Sequence, residues 1–163
     1  MKWCFLVRGR DQGRILARAL QVLDRQQLPI ASLVATSLDQ QLSINFALEA
    51  TESEAFRIRA LLWRIHGVEA IDAFSEDSSV HRMMALFRIG YAPSQRFDLL
   101  QFLRNRHAKV VVDRPLSVCF EVVGAPHEVE RIYRSSLAYG NVEYLSASCI
   151  CLSSEIEHKA TYV

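Results

Sequence analysis

One order of elements (strand, helix, strand, strand, helix, strand) can be read twice along this chain, and few folds accommodate it. Trp3 to Val7 is a short apolar run followed by the loop Arg8-Gly9-Arg10-Asp11-Gln12-Gly13. Such a run, closed by a glycine-bracketed turn, reads as a buried strand. From Ile15 the apolar residues fall at helical spacing (Leu16, Ala19, Leu20, Leu23), with Asp11 as the expected N-cap. Leu28-Pro29 stops the helix, because the residue before proline is driven out of the right-handed helical region. Ile30 opens a second strand that runs to Ser37, and Asp39-Gln40-Gln41 is a turn. Leu42 to Glu49 then alternates strictly. Leu42, Ile44, Phe46 and Leu48 lie on one face and Ser43, Asn45 and Glu49 on the other, the period of a half-buried strand. Thr51-Glu52-Ser53 offers caps for a second helix whose core stripe is Ile58, Leu61, Leu62 and Ile65. Gly67 ends that helix and Val68 to Phe74 reads as a fourth strand.

Ser75 to Ser79 is polar and fits neither period, so it reads as a linker. The pattern then restarts. His81 to Ile89 is strand-like, Gly90 to Ser94 is a loop with Ser94 as N-cap, and Phe97, Leu100 and Leu103, widened by Leu99 and Phe102, mark a helix ending near Arg106. Ala108 to Val112 is a β-branched strand, Asp113-Arg114-Pro115 a turn, and Leu116 to Val123 another strand. Gly124-Ala125-Pro126 opens a helix with proline in its first turn, Gly140 closes it, and Val142 to Leu152 is the last strand. The division that follows is a first domain at 1–75, a linker at 76–80, a second domain at 81–153 and a tail at 154–163. Each half is expected to be α+β. The plan is ferredoxin-like βαββαβ: a four-stranded antiparallel sheet with two helices on one face. The two halves share little identity; what repeats is the order of elements. A half this small leaves its other sheet face bare, which calls for cover by the other half or by a second chain.

At 163 residues, with half of them hydrophobic and a formal net charge of +1, the chain has a packed core and no general electrostatic attraction for nucleic acid. No apolar run is long enough to span a membrane, and the N-terminus lacks the pattern of a secretory signal. The four cysteines, Cys4, Cys119, Cys149 and Cys151, form no C-x-x-C and read as small strand hydrophobes in a cytoplasmic protein, with no metal expected. The histidines are scattered; His66 and His107 fall at helix ends, where an imidazolium favours the dipole. No G-x-S-x-G, H-E-x-x-H, P-loop or G-x-G-x-x-G occurs, so no catalytic residue is assigned. The aromatic strand motif of sheet-based RNA binders is missing too. What remains as a ligand candidate is the loop before the first helix, where backbone N–H groups at a helix N-terminus, with Arg8, Arg10 and Arg14 nearby, suit a carboxylate or phosphate.

Several segments in this order and spacing resemble one family. Leu16-Ala17-Arg18 and Ile30-Ala31-Ser32-Leu33 in the first half are similar to its L-S-R and N-I-x-S-L segments. In the second half, Val80-His81-Arg82 enters an apolar strand, Ala108 to Asp113 resembles A-k-I-V-D, and Val122-Val123-Gly124 and Tyr139-Gly140 resemble V-x-G and F-G. The chain from about Trp3 to Glu155 thus resembles the regulatory (small) subunits of acetolactate synthase, whose first half is an ACT domain. The resemblance implies a non-catalytic protein that forms a homodimer through its ACT sheets. It docks on a thiamine-diphosphate-dependent catalytic (large) subunit of branched-chain amino-acid biosynthesis, raises that subunit's activity and often transmits inhibition by valine. The chain itself would hold no cofactor; thiamine diphosphate, Mg²⁺ and FAD belong to the catalytic partner.

The family's effector, an amino acid, sits near the first strand–helix loop and the start of the second strand. The matching positions here are Asp11, Gln12, Gly13, Arg14 and Ile15, with Pro29 and Ile30. They depart from the family's N-x-x-G-x-L. Asp11 stands for the Asn, and the Gly comes one position early at Gly13, with Arg14 in its place. Pro29 replaces the Asn before Ile30, removing both an amide side chain and a backbone N–H. Asp11 repels a carboxylate that Arg14 attracts. The expectation is therefore a regulatory subunit that binds its partner but senses valine weakly or not at all; the alternative is a free-standing ACT-type sensor of another enzyme.

Overall fold

The computed structural model describes residues 1–10 and 14–154, without the side chains of residues 143–146. The chain divides into two compact units, Met1–Val80 with the end of the chain from Ile150 onward, and His81–Cys149. Along it run β1 (Lys2–Arg10), α1 (Ile15–Gln26), β2 (Ile30–Leu38), β3 (Gln41–Glu49), α2 (Glu52–Trp63), β4 (Val68–Ser75), β5 (Ser79–Gly90), α3 (Arg96–Asn105), β6 (Lys109–Arg114), β7 (Ser117–Gly124), α4 (Pro126–Ser136) and β8 (Asn141–Ser153). The two sheets have the orders β2-β3-β1-β4 and β6-β7-β5-β8, the same ferredoxin-like plan twice.

In the first sheet β1 is central, antiparallel to β3 (Phe5 opposite Phe46) and to β4 (Phe5 opposite Ala73). The side chains predicted to face inward from β3 do so: Ile44, Phe46 and Leu48 join Phe5, Val7, Ile15, Ala19, Leu23, Ile58 and Leu62 in one core between sheet and helices. Phe5 and Phe46 stack at 4.8 Å, and burying aromatic rings of this size is the largest apolar contribution such a core makes. Asp39 and Gln40 both take positive φ, 49° and 64°, in the two-residue loop joining β2 and β3, as a primed hairpin turn requires. α1 ends with Gln27 in the left-handed conformation, and Gly67, at φ 93°, follows α2. The expected linker is ordered: Glu76–Ser78 make one 3-10 turn and Ser79 already begins β5.

Capping determines where the helices begin. Thr51 caps α2 through its hydroxyl, which accepts from the Glu54 N–H at 3.3 Å, while the Glu54 carboxylate accepts from the Thr51 N–H at 2.7 Å. Those hydrogen bonds from Thr51 hold the Glu54 carboxyl below its ordinary range. A carboxylate whose folded-state pKa is depressed contributes above its unfolded pKa and loses that contribution as pH falls through the folded value. Glu54→Gln is therefore expected to melt a few degrees below the parent at neutral pH, with the gap closing in acid. Thermal melts of both proteins between neutral pH and the acid limb check this.

Two expected caps differ. The residue at the N-cap of α1 is Arg14, not Asp11, and it makes no side-chain cap bond. α3 is preceded by a 3-10 turn, Pro93–Gln95, that displaces Ser94 from the cap and puts Gln95 there. α3 buries Leu99 and Leu103, whereas Phe97, expected on the core stripe, is 74% exposed. α4 begins at Pro126, with the Glu128 carboxylate accepting from the Ala125 N–H at 2.9 Å. The second core, Ala85, Phe87, Ile89, Leu99, Leu103, Val118, Phe120, Val122, Val129 and Ile132, lies between that unit's sheet and helices.

The bare sheet face expected of the first unit is partly covered by the chain itself. Cys4, Ala47 and Phe74, which alternate with the helix-facing residues, pack against Cys151 near the end of β8. Asn45, read from the sequence as lying on the face opposite the core, is 6% exposed there. Its amide donates to the Cys151 carbonyl at 2.6 Å and its Oδ1 accepts from the Cys151 N–H at 3.1 Å, so one side chain replaces a strand partner. Ser154 N–H donates to Ser78 O at 2.9 Å one step further on.

Candidate functional site

Among the residues proposed for a ligand, Asp11, Gln12 and Gly13 lie outside the described residues. Arg14 stands exposed at the N-terminus of α1 and has no ion-pair partner among the described residues. α1 carries no acidic residue in its first turn, so among the described residues no carboxylate of the helix itself neutralises its positive end. The other two arginines of the loop are already engaged. Arg8 reaches Asp72 at 2.9 Å, and Arg10 reaches Glu69 at 3.5 Å. Ile15 is buried in the core, with its Cδ1 against the backbone at Gly9 and Gly67. Its side chain anchors the helix and contributes only backbone to any ligand.

Pro29 is exposed and Ile30 is 42% exposed at the other end of the helix. Register shows how far apart these halves stand. Ile30 is opposite Leu48, and Leu48 is opposite Trp3, at the start of β1. Leu38 is opposite Gln41, and Gln41 is opposite Arg10, at the end of β1. A nine-residue strand at roughly 3.3 Å per residue is about 26 Å long, so Pro29 and Ile30 sit at the far end of the sheet from Arg14 and Ile15. Within one chain the structure brings Arg14 beside Ile15 and Pro29 beside Ile30, but not one pair to the other. Around Ile30 is an open groove of about 560 Å³, lined by Leu20, Leu23, Asp24, Gln27, Leu28 and Ile30. Its lining mixes leucine side chains with the polar Asp24 and Gln27, and Leu20 and Leu23 were read from the sequence only as core helix positions.

The other chemistry the sequence left aside is in the first unit. The Cys4 and Cys151 sulfurs lie within 4.8 Å of each other, although they are near opposite ends of the sequence. Cys151 Sγ donates to Asn45 Oδ1 at 3.1 Å. When that proton turns to Cys4 instead, the hydrogen bond pulls the Cys4 thiol below its ordinary pKa, against the effect of its burial. No spacing rule for cysteines could have paired them. Among the described residues no helix is long and apolar enough to cross a membrane.

Two βαββαβ units in tandem define a doubled ferredoxin-like architecture. No family model matches the chain. A curated acetolactate synthase small subunit from Mycolicibacterium smegmatis is 25% identical over 145 residues, covering 88% of this chain and 85% of that one. The crystal structure of the acetolactate synthase small subunit from Thermotoga maritima covers 94% of this chain and 97% of that one, with a TM-score of 0.83 at 12% identity. The resemblance to acetolactate synthase small subunits read from the sequence thus holds in sequence and in fold, across both units.

Proposed function

We propose that the chain is a non-catalytic regulatory subunit of acetolactate synthase that docks on a thiamine-diphosphate-dependent catalytic subunit and raises its activity. The observation that carries this reading is the likeness to a curated small subunit over 145 residues, which extends through both units instead of stopping at one ACT-type half. The test is co-expression with the catalytic subunit from the same genome. The two are expected to co-purify, and acetolactate formation is expected to rise several-fold over the catalytic subunit alone. Failure of both would overturn the reading.

For the effector, the geometry supports a site completed by a second copy. β2 is an edge of its sheet, with unpaired backbone groups along one side. Antiparallel pairing of two β2 edges about a two-fold axis would set Pro29 and Ile30 of one protomer beside the Leu38 end of its partner. That end is level with Arg10 and the start of α1. Of that loop's arginines, Arg8 and Arg10 are held by Asp72 and Glu69, Asp11 adds a negative charge, and Pro29 lacks a donor. Arg14 is then the main attraction for a carboxylate, which argues for weak or absent valine sensing. Calorimetric titration with valine is expected to give no saturable heat below millimolar concentrations; tight binding would refute it.

A further inference from the structure

We propose that Cys4 and Cys151 are a reversibly oxidisable thiol pair, taking a small peroxide as oxidant, whose disulfide fastens the end of the chain to the back of the first sheet. This does not depend on the regulatory reading above.

Three observations place the pair. First, both residues are buried, at 0% and 2% exposure, with their sulfurs within 4.8 Å. That gap closes to a bond by side-chain rotation together with a small shift of one strand. Second, Cys151 does not sit there by apolar packing alone. Asn45 takes its carbonyl, its N–H and its thiol in three hydrogen bonds, at 2.6, 3.1 and 3.1 Å, and so fixes the strand's register against Cys4. Third, the two thiols have distinct roles. Cys151 has one thiol proton, which lies toward Asn45 Oδ1 at 3.1 Å or turns to Cys4. With that proton turned to Cys4, the Cys151 hydrogen bond, with Ser79 and Lys2, favours the Cys4 thiolate against its burial and Glu76. Thiolate is the reactive form, so Cys4 is the attacking sulfur.

The Cys4 thiolate attacks one peroxide oxygen, the O–O bond breaks, and the departing hydroxide takes a proton and leaves as water. Cys4 is now a sulfenic acid. The Cys151 sulfur attacks that of Cys4, the S–S bond forms and the S–O bond breaks. The Cys151 proton goes to the leaving hydroxide as a second water. Two thiols are oxidised by two electrons and one peroxide is reduced to two waters. A dithiol reductant reverses it by exchange. Burial sets the rate: peroxide reaches Cys4 when the end of β8 lifts from the sheet.

The experiment uses the full chain, purified reduced, treated with hydrogen peroxide and then alkylated. Peptide mapping without reductant, with fragmentation to separate Cys149 from Cys151, is expected to find the Cys4 and Cys151 peptides joined and lighter by two hydrogens. Dithiothreitol is expected to restore both thiols. The oxidised protein is expected to melt about 5 °C or more higher, because the bond closes nearly the whole chain into a loop. In Cys151→Ser, Cys4 is expected to stop at a sulfenic acid that dimedone traps, whereas Cys119→Ser leaves the cross-link intact. The proposal is overturned if Cys4 and Cys151 are both alkylated after peroxide, if either joins Cys119 or Cys149 instead, or if the purified chain holds a divalent metal on these two sulfurs.

Discussion

Gly9→Ala is expected to destabilise the first unit by about 3 kcal/mol, a large share of what a unit this size has. A Cβ at position 9 would run into the carbonyl oxygen of Gly67 and come within 2.7 Å of Ile15 Cδ1. The oxygen belongs to backbone, so it cannot swing aside as a flexible side chain would. It lies next to β4, whose pairing with β1 already shifts register between Arg8 and Gly9. Ile15 is the first residue of α1 and fully packed. Relief must come from moving either the start of β4 or the start of α1. Urea unfolding followed by far-UV circular dichroism is the check, and a midpoint within error of the parent would contradict the close approach.

Asn45→Ala is expected to cost about 2–4 kcal/mol, by leaving the Cys151 N–H and carbonyl without partners in a buried setting. The protein has one inexpensive response, which is to let the end of β8 rise into water. The distinctive prediction is therefore not the stability loss alone. Limited proteolysis should cut the chain after Cys149 in the variant under conditions that leave the parent whole. Asn45→Asp separates size from chemistry, since a carboxylate can accept from the Cys151 N–H but cannot donate to its carbonyl. It should fall between parent and alanine variant below the carboxylate range and approach the alanine variant above it. Uncut Asn45→Ala with parental stability would mean that apolar packing of Cys151 against Cys4, Ala47 and Phe74 suffices.

These two residues also mark how far the sequence could be read. The alternation over Leu42–Glu49 announces which side of β3 is core, because period-two burial is a local property, and the structure agrees at Ile44, Phe46 and Leu48. The same rule put Asn45 on the opposite face, without saying what covers it. What buries it lies 106 residues away, and no local pattern reports on that. The error at Phe97 has another cause. Five apolar residues within Phe97–Leu103 surround the helix almost completely, so period alone cannot choose a face. Leu99 and Leu103, one turn apart, win, and Phe97 falls nearly opposite. Asp11 was favoured as a cap for its side chain, yet α1 begins only at Ile15, where packing against Gly9 and Gly67 fixes the first turn. Arg14 and Pro29–Ile30 are exposed, but the distance between them depends on strand register, which the sequence does not display.

The length of β2 has a consequence for how such a molecule responds to dilution. A metabolite that touches both Arg14 and Ile30 must bridge two copies, because a single copy holds these residues at opposite ends of a nine-residue strand. Its apparent affinity would then carry the monomer–monomer equilibrium within it, weakening as the protein is thinned out and recovering as it is concentrated. A titration repeated across protein concentrations would show midpoints that drift, where a pocket contained in one polypeptide would give a fixed value.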